Sequence, residues 1–144
     1  MERYEVKSLA DAVVNKVFDV LKGEGEFTDR EATCVAYRIR HTVEKELIAH
    51  ARIDPLHYVE WSGYARNLLD LAGEGTLADV LAVTQEQGNI RLANSLHTSE
   101  SMIASAVAEI QWLAALLGSD MPIRTLLNRG HHEEPPAPAV GPTN

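Results

Sequence analysis

Cysteine is nearly missing from this chain: in 144 residues, Cys34 stands alone. One thiol closes no internal disulfide, so the fold must be held by a packed core, which a chain of this length can bury. Basic residues are outnumbered, with 13 Lys and Arg against 21 Asp and Glu, for a formal charge of −8. Nucleic acid and anionic membranes are bound through a basic field, so this balance argues against both. There is no glycine-rich phosphate loop, no CxxC pair and no Gly-x-Ser-x-Gly elbow. The most apolar run, MIASAVAEIQWLAALLG, is interrupted by Glu109 and Gln111, which argues against a membrane span. The opening MERYE lacks the apolar segment of a secretory leader, so the cytoplasm is the expected compartment.

What remains is an ordinary globular composition, 45% apolar and 24% charged. Its periodicity is helical almost throughout. Leu9, Val13, Val17 and Leu21 recur along a first helix expected over 8–22, which Gly23 and Gly25 end. Thr28 and Glu31 form a capping box behind Phe27, opening a helix over 29–53. Asp54-Pro55 supplies a cap and a first-turn proline for a third helix over 55–72. Thr76 caps a short helix over 77–87.

Leu92, Leu96, Ser99, Ile103, Ala106, Ile110, Leu113 and Leu117 alternate steps of four and three. That heptad seam predicts one long helix over 90–117, with a break at Thr98-Ser99 as the alternative. Ile123 to Arg129 adds a short turn. From Gly130 the chain is proline-rich with little to bury, so 130–144 reads as a disordered tail. The expectation is therefore an all-α, single-domain bundle of about five helices over 1–129.

Chemistry-bearing residues concentrate in HTVEKELIAH, residues 41–50. At about 100° per residue, Ala32, Val35, Ala36, Ile39, Val43 and Leu47 share an arc. His50 falls within that arc and Glu46 at its edge, while His41 and Glu44 fall opposite, near Cys34, Tyr37 and Ile48. The pair Glu46 and His50 is thus the candidate for a carboxylate orienting a histidine, for proton transfer or as two metal ligands. No third ligand is identifiable, so a core histidine near a helix end is the preferred reading. His57 and Glu60 complete the candidate catalytic set. His57 shares an arc with Tyr58, Trp61 and Tyr64 at the N3 position after Asp54, where the helix dipole disfavours a charged imidazole.

His-x-x-Glu occurs at His41/Glu44, His57/Glu60 and His97/Glu100. Di-iron bundles use the reverse order, so the pattern does not carry that assignment. Arg91-LANSL-His97 and Arg52-IDPL-His57 are similar to the Arg-to-His spacing of HEPN-type helical ribonucleases. Leu92 stands where that family usually has a polar residue after the arginine, which leaves the first pair in doubt. Cys34 has no histidine at catalytic spacing and reads as a packed or half-buried thiol.

Two helices carry apolar residues on both sides: Cys34, Tyr37 and Ile48 on one, Ala108, Trp112, Ala115 and Leu116 on the other. Such helices are central in their own fold or shared with another chain. The expected function is a small interaction, assembly or regulatory protein without catalysis of its own and without a cofactor. It would form a homodimer or bind a protein partner through Tyr37, Ile48, Trp112 and Leu116. The alternative is a helical enzyme or metal binder (a metal-dependent hydrolase or HEPN-like ribonuclease) using the Glu46/His50 pair.

Overall fold

The computed structural model describes residues 2–129, 131–132 and 135. Eight helices account for most of the described residues, in place of the five expected. They are α1 (Arg3–Glu24), α2 (Asp29–Ala51), α3 (Pro55–Tyr58), α4 (Gly63–Leu69), α5 (Leu77–Gln87), α6 (Asn89–Ser95), α7 (Glu100–Leu117) and α8 (Ile123–Arg129). Two strands of two residues, β1 (Glu60–Trp61) and β2 (His131–His132), pair in parallel, Glu60 opposite His131 and Trp61 opposite His132. The chain divides into two compact units, Met1–Tyr58 and Val59–Asn144.

In the first unit, α1 and α2 form a hairpin. Gly25 closes α1 with φ of 75°, in the left-handed region that a Cβ disfavours. The capping box then opens α2: the Glu31 N–H donates to Thr28 Oγ1 at 3.1 Å, and the Thr28 N–H to Glu31 Oε1 at 3.0 Å. Val6, Ala10, Ala32 and Ala36 are buried along the seam, where small side chains allow close approach. At its far end α2 stops in a Schellman turn. The Ile53 N–H donates to the Ile48 carbonyl at 3.1 Å and the Arg52 N–H to that of Ala49 at 3.2 Å. Arg52 occupies the left-handed position, with φ of 56°.

The long third helix of the sequence reading does not form. Asp54 Oδ1 accepts from the Leu56 N–H at 3.0 Å and starts α3, but β-branched Val59 and the β1 pair turn the chain extended. Ser62 then caps α4, its Oγ accepting from the Ala65 N–H at 3.2 Å. The heptad seam breaks too, at the expected alternative. The Thr98 N–H donates to the Ala93 carbonyl at 2.9 Å, His97 takes φ of 55°, and Ser99 caps α7 by accepting from the Met102 N–H at 3.2 Å.

In the second unit, α7 is the central element and packs against α4, α5 and α6. Ile103, Ala106, Ile110, Leu113 and Leu116 are buried along it, and meet a core that includes Leu68, Leu77, Val80 and Leu92. Each leucine, isoleucine or valine among them contributes about 1.5–3 kcal/mol by leaving water. Glu109, which interrupts the apolar run, spans to the start of α4: the Ser62 N–H donates to its Oε1 at 2.6 Å and the Ser62 hydroxyl to its Oε2 at 2.8 Å. A carboxylate there meets the exposed N–H groups of a helix start. Among the described residues only α7 is long and apolar enough to cross a membrane by length and composition, with mean hydropathy 1.2.

Residues 130, 133–134 and 136–144, which carry most of the tail expected to be disordered, lie outside the described residues.

Candidate functional site

The only carboxylate among the buried side chains of the described residues is Glu44, with no exposed surface. It sits on α2 and receives two donors. The Tyr58 hydroxyl donates to Oε2, and Arg40 Nε donates to Oε1 at 3.0 Å across one helical turn. Arg40 also reaches Asp11 on α1 through Nη1. Lys7 of α1 places its ammonium 5.5 Å from the centroid of the Tyr58 ring, within cation–π range. Arg3 Nε donates to the Tyr58 backbone carbonyl at 3.0 Å. One end of the hairpin is thus closed by Tyr58, which α1 and α2 hold by side chain and backbone alike.

Electrostatics follow from this geometry. Burial raises the Tyr58 phenol well above its ordinary value, and the bond to Glu44 adds to the rise. Burial works against the Arg40 charge, yet its hydrogen bond to Asp11 and the charge of Glu44 prevail and hold it above the usual arginine range. His41, half-buried beside this group, is lowered chiefly by burial and further by Arg40, with Glu44 opposing. On the surface, Glu31 is lowered by the Thr28 backbone N–H and hydroxyl.

A general base must reach the proton that it takes. Glu44 has no exposed surface and its oxygens are engaged by Tyr58 and Arg40, so the arrangement builds a fixed polar core. Among the described residues, no three His, Cys, Asp or Glu side chains are grouped to hold a metal ion.

The expected orientation of α2 is therefore reversed near its end. Glu46 and His50 are exposed, whereas Glu44 and Ile48 are buried. The Asp11–Arg40 contact sets the hairpin register, and by that register His50 falls level with the first residues of α1, where the covering helix ends. Cover comes instead from the segment carrying Tyr58, on the adjacent side of α2. His57 is exposed on α3 and Glu60 on β1, so the broken helix parts them from the buried Tyr58 and Trp61.

Of the four expected surface anchors, Ile48 and Leu116 are buried, Trp112 is half-buried and Tyr37 is 53% exposed. Leu116 points inward because the seam on α7 shifts by one residue in its last turn, from Leu117 to Leu116. Cys34 is exposed rather than packed. Arg52 and His97, one from each Arg/His pair, are placed by helix-ending turns and exposed.

The second unit carries an open cavity of about 400 Å³ lined by Leu81, Thr84, Gln85, Asn89, Val107 and Gln111. Its polar groups are a hydroxyl and three carboxamides, which hydrogen-bond but neither titrate near neutral pH nor act as nucleophiles. Thr84 is buried and already donates to the Leu81 carbonyl at 2.8 Å.

The Glu44–Tyr58 pair is not legible in the sequence because it links α2 to a segment whose pattern predicts part of a separate long helix. One signal was available: the i, i+4 spacing of Arg40 and Glu44. No family model, no curated protein and no solved structure matches this chain.

Proposed function

We propose that this chain is a helical protein–protein interaction module that self-associates and has no catalysis of its own. One observation carries this reading. Among the described residues five large apolar side chains are exposed, and four of them (Tyr4, Leu9, Val20 and Tyr37) lie on the α1–α2 hairpin. The same hairpin leaves Val13, Val14, Val17, Phe18 and Leu21 only half-buried. Leu9 and Val20 share one side of the hairpin with half-buried Val13, Val35 and Ile39, and a contiguous apolar patch marks a contact surface where scattered apolar residues do not. A pair of helices without a third layer encloses little core, and bundles supply that layer from further helices.

Ile48 and Leu116 drop out as contact residues because they are buried, and Tyr37, though exposed, lies on the side of the hairpin that carries Asp11 and Glu44. Native mass spectrometry of the purified chain tests the reading, together with sedimentation across about 1–100 µM, the span in which moderate dimers assemble. A reversible oligomer is expected. A monomer at every concentration would remove self-association from the proposal.

A further inference from the structure

We infer that the occupant of the hairpin is a second copy of this chain, docked on the face of Leu9, Val13, Val20, Val35, Ile39 and Val43. The inference rests on the self-association reading and names its surface. Helical phase places Leu9, Val13 and Val20 along one edge of α1. Val35, Ile39 and Val43 follow the same edge of α2, on the side opposite Asp11 and Arg40. Leu9 and Val20 are 43% and 61% exposed, and the other four are half-buried. The opposite face is closed at one end by Tyr58, whereas the apolar edge is bordered by Glu5, Lys16 and Glu24 on α1 and by Glu31, Arg38 and Glu46 on α2, all exposed at its rim.

Two arguments select a second copy. The first is area. Helices of 22 and 23 residues are about 33 Å long and together about 20 Å wide, so one face presents about 650 Å². Two such faces bury about 1,300 Å², inside the range of stable dimers. The second is charge. Residues 1–58 carry nine Lys and Arg against eleven Asp and Glu, whereas residues 59–144 carry four against ten. The hairpin thus carries only −2 of the formal −8, with both signs interspersed, so two copies meet with little net repulsion, while residues 59–144 hold the other −6. The product is a four-helix bundle with one hairpin from each copy.

The test is sedimentation velocity on the full chain, comparing wild type with Leu9→Glu/Val20→Glu and with Tyr37→Glu on the other face. Both substituted positions in the double variant are exposed, so its circular dichroism stays near wild type, and its urea midpoint matches that of wild type at concentrations too low for the dimer. Val20→Glu alone serves if the pair does not fold. Dimer dissociation should weaken by about a hundredfold or more in the double variant, since carboxylates are placed in a desolvated seam. Tyr37→Glu should leave it unchanged. A wild-type oligomer that survives Leu9→Glu/Val20→Glu, or that is dispersed by Tyr37→Glu instead, overturns this face and leaves self-association standing. A monomeric wild type overturns both.

Discussion

Removing one oxygen from Tyr58 gives the sharpest test of the polar core. In Tyr58→Phe the ring still fills its site, but Glu44 loses the hydroxyl that donates to Oε2. A hydrogen bond to a charged acceptor contributes about 1.5–3 kcal/mol, and full burial of Glu44 leaves no solvent to replace it. The substitution should therefore cost about 2 kcal/mol, which lowers the urea midpoint by about 1 M for a slope near 2 kcal/mol/M.

The same substitution should behave differently in a Glu44→Leu background. There the hydroxyl has lost its carboxylate acceptor, so removing it is neutral within about 0.5 kcal/mol or stabilising. Far-UV circular dichroism is the assay, because both tryptophans, Trp61 and Trp112, lie in the second unit and fluorescence would report on that one. Equal costs of Tyr58→Phe in the two backgrounds would refute the coupling between these residues.

Two further outcomes follow from side chains described above. His41 is lowered when folded, so below its unfolded value of about 6.5 the unfolded chain binds more protons. Stability should be intact above that pH and fall as pH drops through it, and a His41→Gln urea series should show a flatter dependence between about pH 5 and 7. Arg52 holds a left-handed position that costs a non-glycine residue about 1 kcal/mol, so Arg52→Gly should raise the urea midpoint; a lowered midpoint would mean that the Arg52 side chain contributes more than its backbone costs.

The all-α class, the Thr28–Glu31 box and α5 were legible because each rests on local pattern. The breaks were harder to read. Both Schellman turns place a residue other than glycine in the left-handed position, Arg52 in one and His97 in the other. The α6–α7 boundary therefore lacks its usual sequence mark, and Ser99 fits the seam by spacing although it is a cap. Glu44 shows a different limit. A wheel assigns inside and outside from the helix alone, whereas the inside of α2 turns where α1 ends and Tyr58 takes over. That covering segment cannot be placed from periodicity, so Glu44, the one carboxylate buried among the described residues, falls on the outward side of the wheel.

Arg3 and Tyr58 are joined by a hydrogen bond across 55 positions, which ties the beginning of the first unit to its end. During synthesis the hairpin is complete once α2 has emerged, but its closure waits for Tyr58. A chain that loses its first few residues keeps both helices and loses the Arg3 donor, along with much of the turn of α1 that carries Lys7. Arg3 and Lys7 are only half-buried yet hold the buried Tyr58, so a deletion or substitution there acts on Tyr58 directly.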